Sequence, residues 1–170
     1  MNKKINSYNI GVAAEAFAAG QFARFGYDIS VQYGANQPEY DLIAHKDDMI
    51  LKVQVKGSQD RGWGLTQNYK KNKTYHEAID DWLSTHSKKT IFCLVQFANT
   101  KDDEIPRLYL ATPSEIASQM KKARGGKGDT ILHENYTYKN GVAAGVTDKL
   151  PDEWKFTKGR VEQLFLFNAV

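Results

Sequence analysis

The sequence has 170 residues, of which 41% are hydrophobic and 25% charged, and 23 lysines and arginines against 20 aspartates and glutamates give a formal net charge of +3. These values match an ordinary globular protein of one domain and exclude a disordered chain, a collagen and a coiled-coil rod. The single cysteine, Cys93, excludes an intramolecular disulfide and a cysteine-rich zinc site. No apolar run reaches the about 18 residues that a membrane span requires, so we expect a cytoplasmic protein.

Hydrophobic periodicity divides the first two thirds of the chain into two helices and five strands. Apolar and small residues recur every three or four positions over residues 7–25, which predicts the first helix. Residues 58–69, rich in glycine and amide side chains, are expected to be irregular. Cys93 lies in an apolar run that predicts a strand, so we expect it to be a buried small hydrophobe. The predicted strands are 27–33, 40–46, 49–57, 91–97 and 107–111, and the second helix is 74–85.

The chain beyond residue 111 carries fewer signals. Residues 112–113, a threonine and a proline, open a helix that ends near Arg124, because proline suits the first helical turn. Residues 139–141 have the Asn-Gly turn chemistry of a hairpin, which predicts pairing between strands 131–138 and 142–147.

Two phenylalanines near the end of the chain, Phe165 and Phe167, are expected to dock the C-terminal segment on the core. No repeat or low-complexity linker interrupts the sequence. We therefore predict a single domain over residues 1–170, with a core at about 7–111 and a C-terminal elaboration at about 112–170.

The second and third predicted strands form a candidate hairpin. If residues 47–48 are its loop, Lys46 pairs with Met49 and Asp41 lies directly opposite Gln54, with Cβ atoms about 4.5–5.5 Å apart. A four-residue loop keeps this register. A three-residue loop would place the two side chains on opposite faces.

The period of two in a strand sorts the hairpin into faces. Alternate residues of the third strand form an apolar face, and Asp41, Gln54 and Lys56 share the other. An acid, an amide and an ammonium suit metal-assisted hydrolysis of a phosphodiester, because hard cations bind oxygen ligands and polarise phosphoryl oxygens. Gly57 follows at once, and its missing side chain leaves room for a ligand near Lys56. The alternative is a half-exposed ribbon with a polar outer face.

A fourth candidate, Glu15, is the only charged residue between Lys4 and Arg24. An acid in so apolar a helix is either its polar edge or a carboxylate that points inward. Helix geometry alone favours a position for Glu15 at the polar edge of the helix.

Three segments resemble the PD-(D/E)XK nuclease superfamily, and most of all the group that includes archaeal Holliday-junction resolvases and intron-encoded homing endonucleases. They are residues 11–15 (GVAAE), 38–43 (PEYDLI) and 53–58 (VQVKGS). The resemblance implies an α/β (α+β) fold with a restriction-endonuclease-like core: a helix, a three-stranded β-meander, a helix and a further strand, in a mixed sheet flanked by helices.

The resemblance also implies a DNA endonuclease that depends on Mg²⁺ (or Mn²⁺). Asp41 would be the chief metal ligand, Gln54 the second ligand position, and Val55 would contribute its backbone carbonyl. Lys56 would be the catalytic lysine and Glu15 an additional acid at the metal or its water.

The sequence departs from the family pattern twice. Two residues separate Pro38 from Asp41, so the PD dipeptide is absent. Gln54 stands where the pattern usually has an acid, which removes one negative charge and predicts weaker metal binding. A nuclease fold retained without catalysis therefore stays open as an alternative.

Two segments, 61–75 and 117–128, contain no acid. We expect them to contact DNA, through phosphate contacts and stacking, while the alternative is a pair of solvated surface loops. Without them the rest of the chain has more acidic than basic residues, so positive charge is concentrated here. The candidate nucleic-acid-binding residues are Arg61, Trp63, Tyr69, Lys70, Lys71, Lys73, Lys121, Lys122, Arg124 and Lys127.

The leading hypothesis is a metal-dependent DNA endonuclease of the homing, restriction or junction-resolving type. The alternatives are a non-catalytic nucleic-acid-binding module and a subunit of a larger assembly. Cutting two strands requires two active sites, so we also expect a homo-oligomer, either a dimer or a tetramer.

Overall fold

A computed structural model describes residues 4–32 and 39–169. Most of the predicted loop 34–39, with Pro38, lies outside these residues. The helices are α1 (Ser7–Arg24), α2 (Tyr75–Ser84), α3 (Pro113–Gly126) and α4 (Lys158–Asn168), and the strands are β1 (Asp28–Val31), β2 (Leu42–Lys46), β3 (Met49–Ser58), β4 (Gly62–Gly64), β5 (Thr90–Gln96), β6 (Arg107–Ala111), β7 (Ile131–His133), β8 (Asn135–Thr137) and β9 (Thr147–Lys149).

The main sheet is mixed, as predicted, with the strand order β1-β2-β3-β5-β6. β3 and β5 are parallel, and the other neighbours are antiparallel. The β2–β3 pairs run from Lys46↔Met49 to Leu42↔Val53, which confirms the predicted register. Asp47 adopts φ 55° in the connecting turn, a conformation that Asp and Asn tolerate best among residues with a Cβ.

Helices cover both faces of this sheet. On one face, α1 and α4 pack on the apolar side of β3, where Leu51 and Val53 are fully buried. On the other face, α2 and α3 cover the opposite side of β5, including Phe92. Each fully buried side chain of this size stabilises the fold by roughly 1.5–3 kcal/mol. Cys93 is buried, as expected, and burial raises the pKa of its thiol.

Two helices begin where the sequence predicts. Thr74 and Glu77 form a capping box at the start of α2, and Thr112 and Glu115 form another at the start of α3. Each box satisfies N–H groups that a helix end leaves without partners.

One end of the sheet gathers several element ends. β3 runs on for five residues after its last pair with β2, which is Leu42↔Val53. Since β2 is antiparallel to β3, the start of β2 faces the middle of β3, five residues before the end of that strand. Topology brings the start of α2 and the end of α3 to the C-terminal end of β3, because α2 follows β3 and α3 follows the antiparallel β6. We call the region from the start of β2 to this end of β3 the site edge.

One prediction for the irregular regions is wrong. Residues 58–69 contain β4, which pairs with β7, and pairing between segments so far apart in sequence leaves no local pattern to find. The predicted hairpin around residues 139–141 is right in part: β8, within 131–138, pairs antiparallel with β9, but β9 begins at Thr147 and residues Gly141–Ala143 form a 3-10 turn in the longer connection.

The predicted docking of the C-terminal segment is half right. Phe165 is buried against the core, whereas Phe167 is 74% exposed. The segment is helical (α4), and residues two apart on a helix point in nearly opposite directions. Within the described ranges, no helix is long and apolar enough to cross a membrane.

Candidate functional site

Asp41 is anchored to β3 just past the end of the β2–β3 pairing. Its backbone N–H donates to the carbonyl oxygen of Val53 at 2.9 Å. Its carboxylate Oδ2 accepts a hydrogen bond from the backbone N–H of Val55 at 2.6 Å. The side chain therefore takes the place of the missing partner strand and fixes a carboxylate at the site edge.

The Val55 carbonyl points toward the same side as its N–H, because both groups of one strand residue face one neighbour. The N–H reaches Asp41, so the carbonyl oxygen of Val55 also faces the side on which Asp41 lies. A carboxylate and a backbone carbonyl thus converge there.

Gln54 lies next to Val55, on the opposite face of β3 from Val53. Its side-chain oxygen Oε1 is buried and finds no hydrogen-bond donor among residues 4–32 and 39–169. A buried acceptor without a partner costs about 1–3 kcal/mol. A cation or an ordered water would remove that cost.

Glu15 lies on α1, partly buried, within electrostatic reach of the hairpin. Burial raises the pKa of the Glu15 carboxyl, the negative charge of Asp41 raises it further, and Lys56 lowers it. The structure therefore brings three of the four candidate catalytic side chains into mutual electrostatic range. Glu15 is half-buried on α1, next to the fully buried Ala14.

Lys56 shares the face of Gln54 on β3. Its backbone carbonyl accepts a hydrogen bond from the indole Nε1 of Trp63 at 2.9 Å. Trp63 is 3% exposed, so this bond fixes the backbone at Lys56 from within the core.

Gly57 does not leave space for a ligand, contrary to the sequence prediction. A Cβ at this position would lie 2.9 Å from the Cβ of Ala14 and from two atoms of Ile10. The absent side chain instead lets α1 approach β3, which places Glu15 close to Asp41. The alanines and glycines of α1 are the sequence signal for such an approach.

The oxygen atoms at this site suit a hard divalent cation. Glu15 and Asp41 offer carboxylates, Val55 a carbonyl, and Gln54 an amide oxygen that has no other partner. No group of three or more His, Cys, Asp or Glu residues suited to a metal occurs in the part of the chain that the structure describes. A cation here would therefore depend on neutral oxygens and on water for the rest of its coordination.

Two of the candidate nucleic-acid-binding residues face inward. Trp63 is buried against Tyr109 and cannot stack on a base, which corrects the sequence prediction. Tyr69 is half-buried, and its hydroxyl is hydrogen-bonded to Thr85. Both rings are apolar enough to complete the core under β4, which is why their exposure was predicted wrongly.

The basic candidates divide into paired and free side chains. Lys73 forms an ion pair with Asp81, and Lys121 pairs with Asp80 at 2.5 Å. Both acids lie on α2, outside the two acid-free segments, so counting charges within those segments did not reveal that the two lysines are neutralised. Among the described residues, the exposed basic candidates outside any ion pair are Arg61, Lys71, Lys122 and Lys127.

The two acid-free segments lie side by side in the structure. The ring of Tyr75 lies between Lys70, at 4.7 Å from its centroid, and Arg124, at 5.1 Å. His76 Nε2 is 2.9 Å from the carbonyl oxygen of Gly126. Sequence analysis missed this junction, which forms one basic surface where α2 begins and α3 ends.

Comparisons with known proteins identify the family of the chain. A family model described as PD-(D/E)XK endonuclease matches residues 5–103. No curated protein matches the chain. The solved structure of Archaeoglobus fulgidus Hjc, a Holliday junction resolvase from an archaeal hyperthermophile, is similar with 12% sequence identity and a TM-score of 0.39, over 62% of this chain and 79% of that one. Since the family model covers more than half of the sequence, the chain belongs to the PD-(D/E)XK endonuclease family.

Proposed function

We propose that this protein is a metal-dependent DNA endonuclease of the homing, restriction or junction-resolving type. The observation that carries the proposal is the Asp41 carboxylate, bound to the Val55 N–H at 2.6 Å beside the buried, unpartnered Oε1 of Gln54. This arrangement supplies an amide oxygen and a backbone carbonyl from adjacent residues of β3 and a carboxylate bound to that strand from the start of β2, next to Lys56.

A bound Mg²⁺ or Mn²⁺ would supply Lewis-acid polarisation of the scissile phosphate and acidify a water molecule. Asp41, Gln54, the Val55 carbonyl and Glu15 are the residues that would hold it. The ammonium of Lys56 would orient the attacking water or stabilise negative charge that develops on the phosphate. The raised pKa of Glu15 makes this carboxyl a better proton acceptor than an ordinary glutamate.

The DNA would approach along the basic surface at the site edge. Lys70, Lys71, Arg124 and Lys127 lie there, and phosphate contacts from such residues give affinity without sequence preference. A homodimer or tetramer would bring together the two active sites that a double-strand cut requires.

A second candidate is a nucleic-acid-binding protein that keeps the fold without catalysis. Gln54 favours it, because a neutral side chain leaves the site with one negative charge fewer than two acids on this hairpin would supply. Such a protein would bind DNA with a steep salt dependence and cleave none in any metal.

One experiment separates the two. The purified protein and its Asp41→Ala and Lys56→Ala variants are incubated with plasmid, linear and branched DNA, with and without Mn²⁺. We expect cleavage only by the unsubstituted protein and only with metal. Identical patterns from all three proteins would remove the endonuclease proposal.

A further inference from the structure

A cavity of about 420 Å³ lies beside the start of β6, apart from the hairpin site. Its charged lining is positive overall, since four cationic side chains face two carboxylates. The charged residues are Arg61, Arg107, Lys149, Lys155, Glu134 and Asp152.

Backbone hydrogen bonds hold the walls of this cavity together. The N–H of Glu134 donates to the carbonyl of Arg61 at 2.9 Å, and the N–H of Leu150 donates to the carbonyl of Glu134 at 3.0 Å. Phe156 donates its N–H to the carbonyl of Leu108 at 3.0 Å, which fixes the neighbouring Lys155 against β6. The charged side chains therefore project from a supported frame rather than from one surface loop.

Glu134 is already saturated with donors. Arg107 binds it through two nitrogens at 2.6 and 2.9 Å, and the hydroxyl of Tyr109 donates to it at 2.7 Å. This carboxylate is therefore not free to neutralise the remaining cations.

The other cations lack full partners. Lys155 and Lys149 share the single carboxylate of Asp152, at 3.0 and 3.8 Å. The guanidinium of Arg61 makes no hydrogen bond or ion pair with any residue in the described ranges. The cavity thus holds two positive charges more than it holds negative ones, which an anion would balance.

We propose that this cavity binds a phosphate group of the DNA backbone, outside the cleavage site. This inference rests on the proposed function. Ser58, Gln96 and Arg107 are in register across β3, β5 and β6, so the cavity lies two strand spacings, about 10 Å, from the end of β3. Asp41 lies one strand spacing further away and level with Gln54, four residues before Ser58, so roughly 20 Å separates it from the cavity, a distance that a few nucleotides of one DNA strand span.

Most of the cavity lies outside the part of the chain that matches the family model. Five of its six charged residues lie beyond residue 103, where the family model ends. Packing joins it to the hairpin site, since Trp63 bonds to the Lys56 carbonyl and its ring lies 6.3 Å from that of Tyr109. The C-terminal part of the chain thereby gains a role in holding substrate.

The test measures DNA affinity against KCl concentration in EDTA, where no cleavage occurs. The double variant Lys149→Gln/Lys155→Gln removes two exposed ammonium groups. We expect weaker binding and a slope of log K against log salt that is smaller by about 0.9 for each phosphate that the variant no longer neutralises. The control, Arg24→Gln/Lys46→Gln, removes the same charge at the last residues of α1 and β2, beside the start of β3 and at the opposite end of that strand from Ser58, and should leave the slope unchanged.

A second variant is expected to change DNA affinity in the opposite direction. Asp152→Asn removes the carboxylate that competes for both lysines, so it should tighten DNA binding. A purely structural role of these residues predicts no tightening. Equal slopes for Lys149→Gln/Lys155→Gln and for the control double variant would overturn the proposal.

A titration with a deoxynucleoside monophosphate identifies the source of the phosphate. If Lys149→Gln/Lys155→Gln abolishes mononucleotide binding while its DNA slope stays unchanged, the cavity takes a free nucleotide and the DNA assignment is overturned. If the slope falls as expected but the unsubstituted protein cleaves no DNA in Mg²⁺ or Mn²⁺, the endonuclease proposal fails and the cavity proposal stands.

Discussion

The carboxylate of Asp41 accepts a hydrogen bond from the backbone N–H of Val55 at 2.6 Å. This contact places the acid where a partner strand would otherwise continue, and it orients the carbonyl of Val55 to the same side. The candidate site therefore depends on the early end of β2, and its geometry is set by main-chain hydrogen bonding.

Asp41→Asn should abolish cleavage while the chain stays folded. The amide oxygen can still accept the Val55 N–H, so we expect the free energy of unfolding to change by less than about 1 kcal/mol. Loss of the negative charge should lower the cleavage rate by about 100-fold or more. Asp48→Asn, the same substitution in the exposed turn at the other end of the hairpin, is the control and should cleave normally. Unchanged cleavage by Asp41→Asn would remove Asp41 from the site.

Gln54→Glu should strengthen metal binding. A third carboxylate near Glu15 and Asp41 raises the attraction for a divalent cation, so half-maximal cleavage should need less Mn²⁺. Without metal the three acids repel one another, and the melting temperature in EDTA should fall.

Adding Mn²⁺ should therefore raise the melting temperature of Gln54→Glu more than that of the unsubstituted protein. The matched control is Gln21→Glu on α1, beside Arg24, where the added charge should not alter the metal dependence. If both variants respond to Mn²⁺ alike, Gln54 does not face a metal.

Glu15→Gln should stabilise the metal-free protein at neutral pH. Burial and the charge of Asp41 raise the pKa of Glu15 above its ordinary value, so the folded state holds this proton more tightly than the unfolded state. The destabilisation is fully present above the folded pKa and fades as pH falls through it toward the unfolded pKa.

This pH dependence is checked by measuring free energies of unfolding in EDTA between about pH 3.5 and 7, a range that includes the ordinary glutamate pKa. The advantage of Glu15→Gln should grow as pH rises and vanish at the acid end. It should shrink in an Asp41→Asn background, because the second cause of the pKa shift is then absent. A constant difference across the pH range would contradict the placement of Glu15.

Local patterns predicted the hairpin and its surroundings well. The alternation along β3 separated Val53 from Gln54, and the turn at Asp47 set the register that puts Asp41 at the end of the pairing. The same period-of-two argument predicted that Leu51 is buried. These features depend on neighbours within about ten residues, which a single sequence displays.

Contacts between distant segments were not predictable in this way. Trp63 looked like an exposed base-stacking residue because its partners, Leu132 on β7 and Tyr109 on β6, are far away in sequence. The partners of Lys73 and Lys121 lie on α2, outside the acid-free segments. Charge counted along the chain therefore overstated the free positive charge.

Gly57→Ala tests whether α1 is held against β3 by close approach. The added Cβ would meet Ala14 and Ile10 at 2.9 Å, and overpacking of this kind costs about 1–3 kcal/mol. We expect a lower urea midpoint together with weaker cleavage, because Glu15 moves away from Asp41 with the helix. The control is Gly20→Ala on the same helix, where a Cβ has nothing within 4 Å, and alanine should raise stability by about 0.5–1 kcal/mol. Urea unfolding of both variants measures the two stability changes, a loss for Gly57→Ala and a gain for Gly20→Ala. A Gly57→Ala protein as stable as the unsubstituted one would show that the close approach of α1 to β3 does not need this glycine.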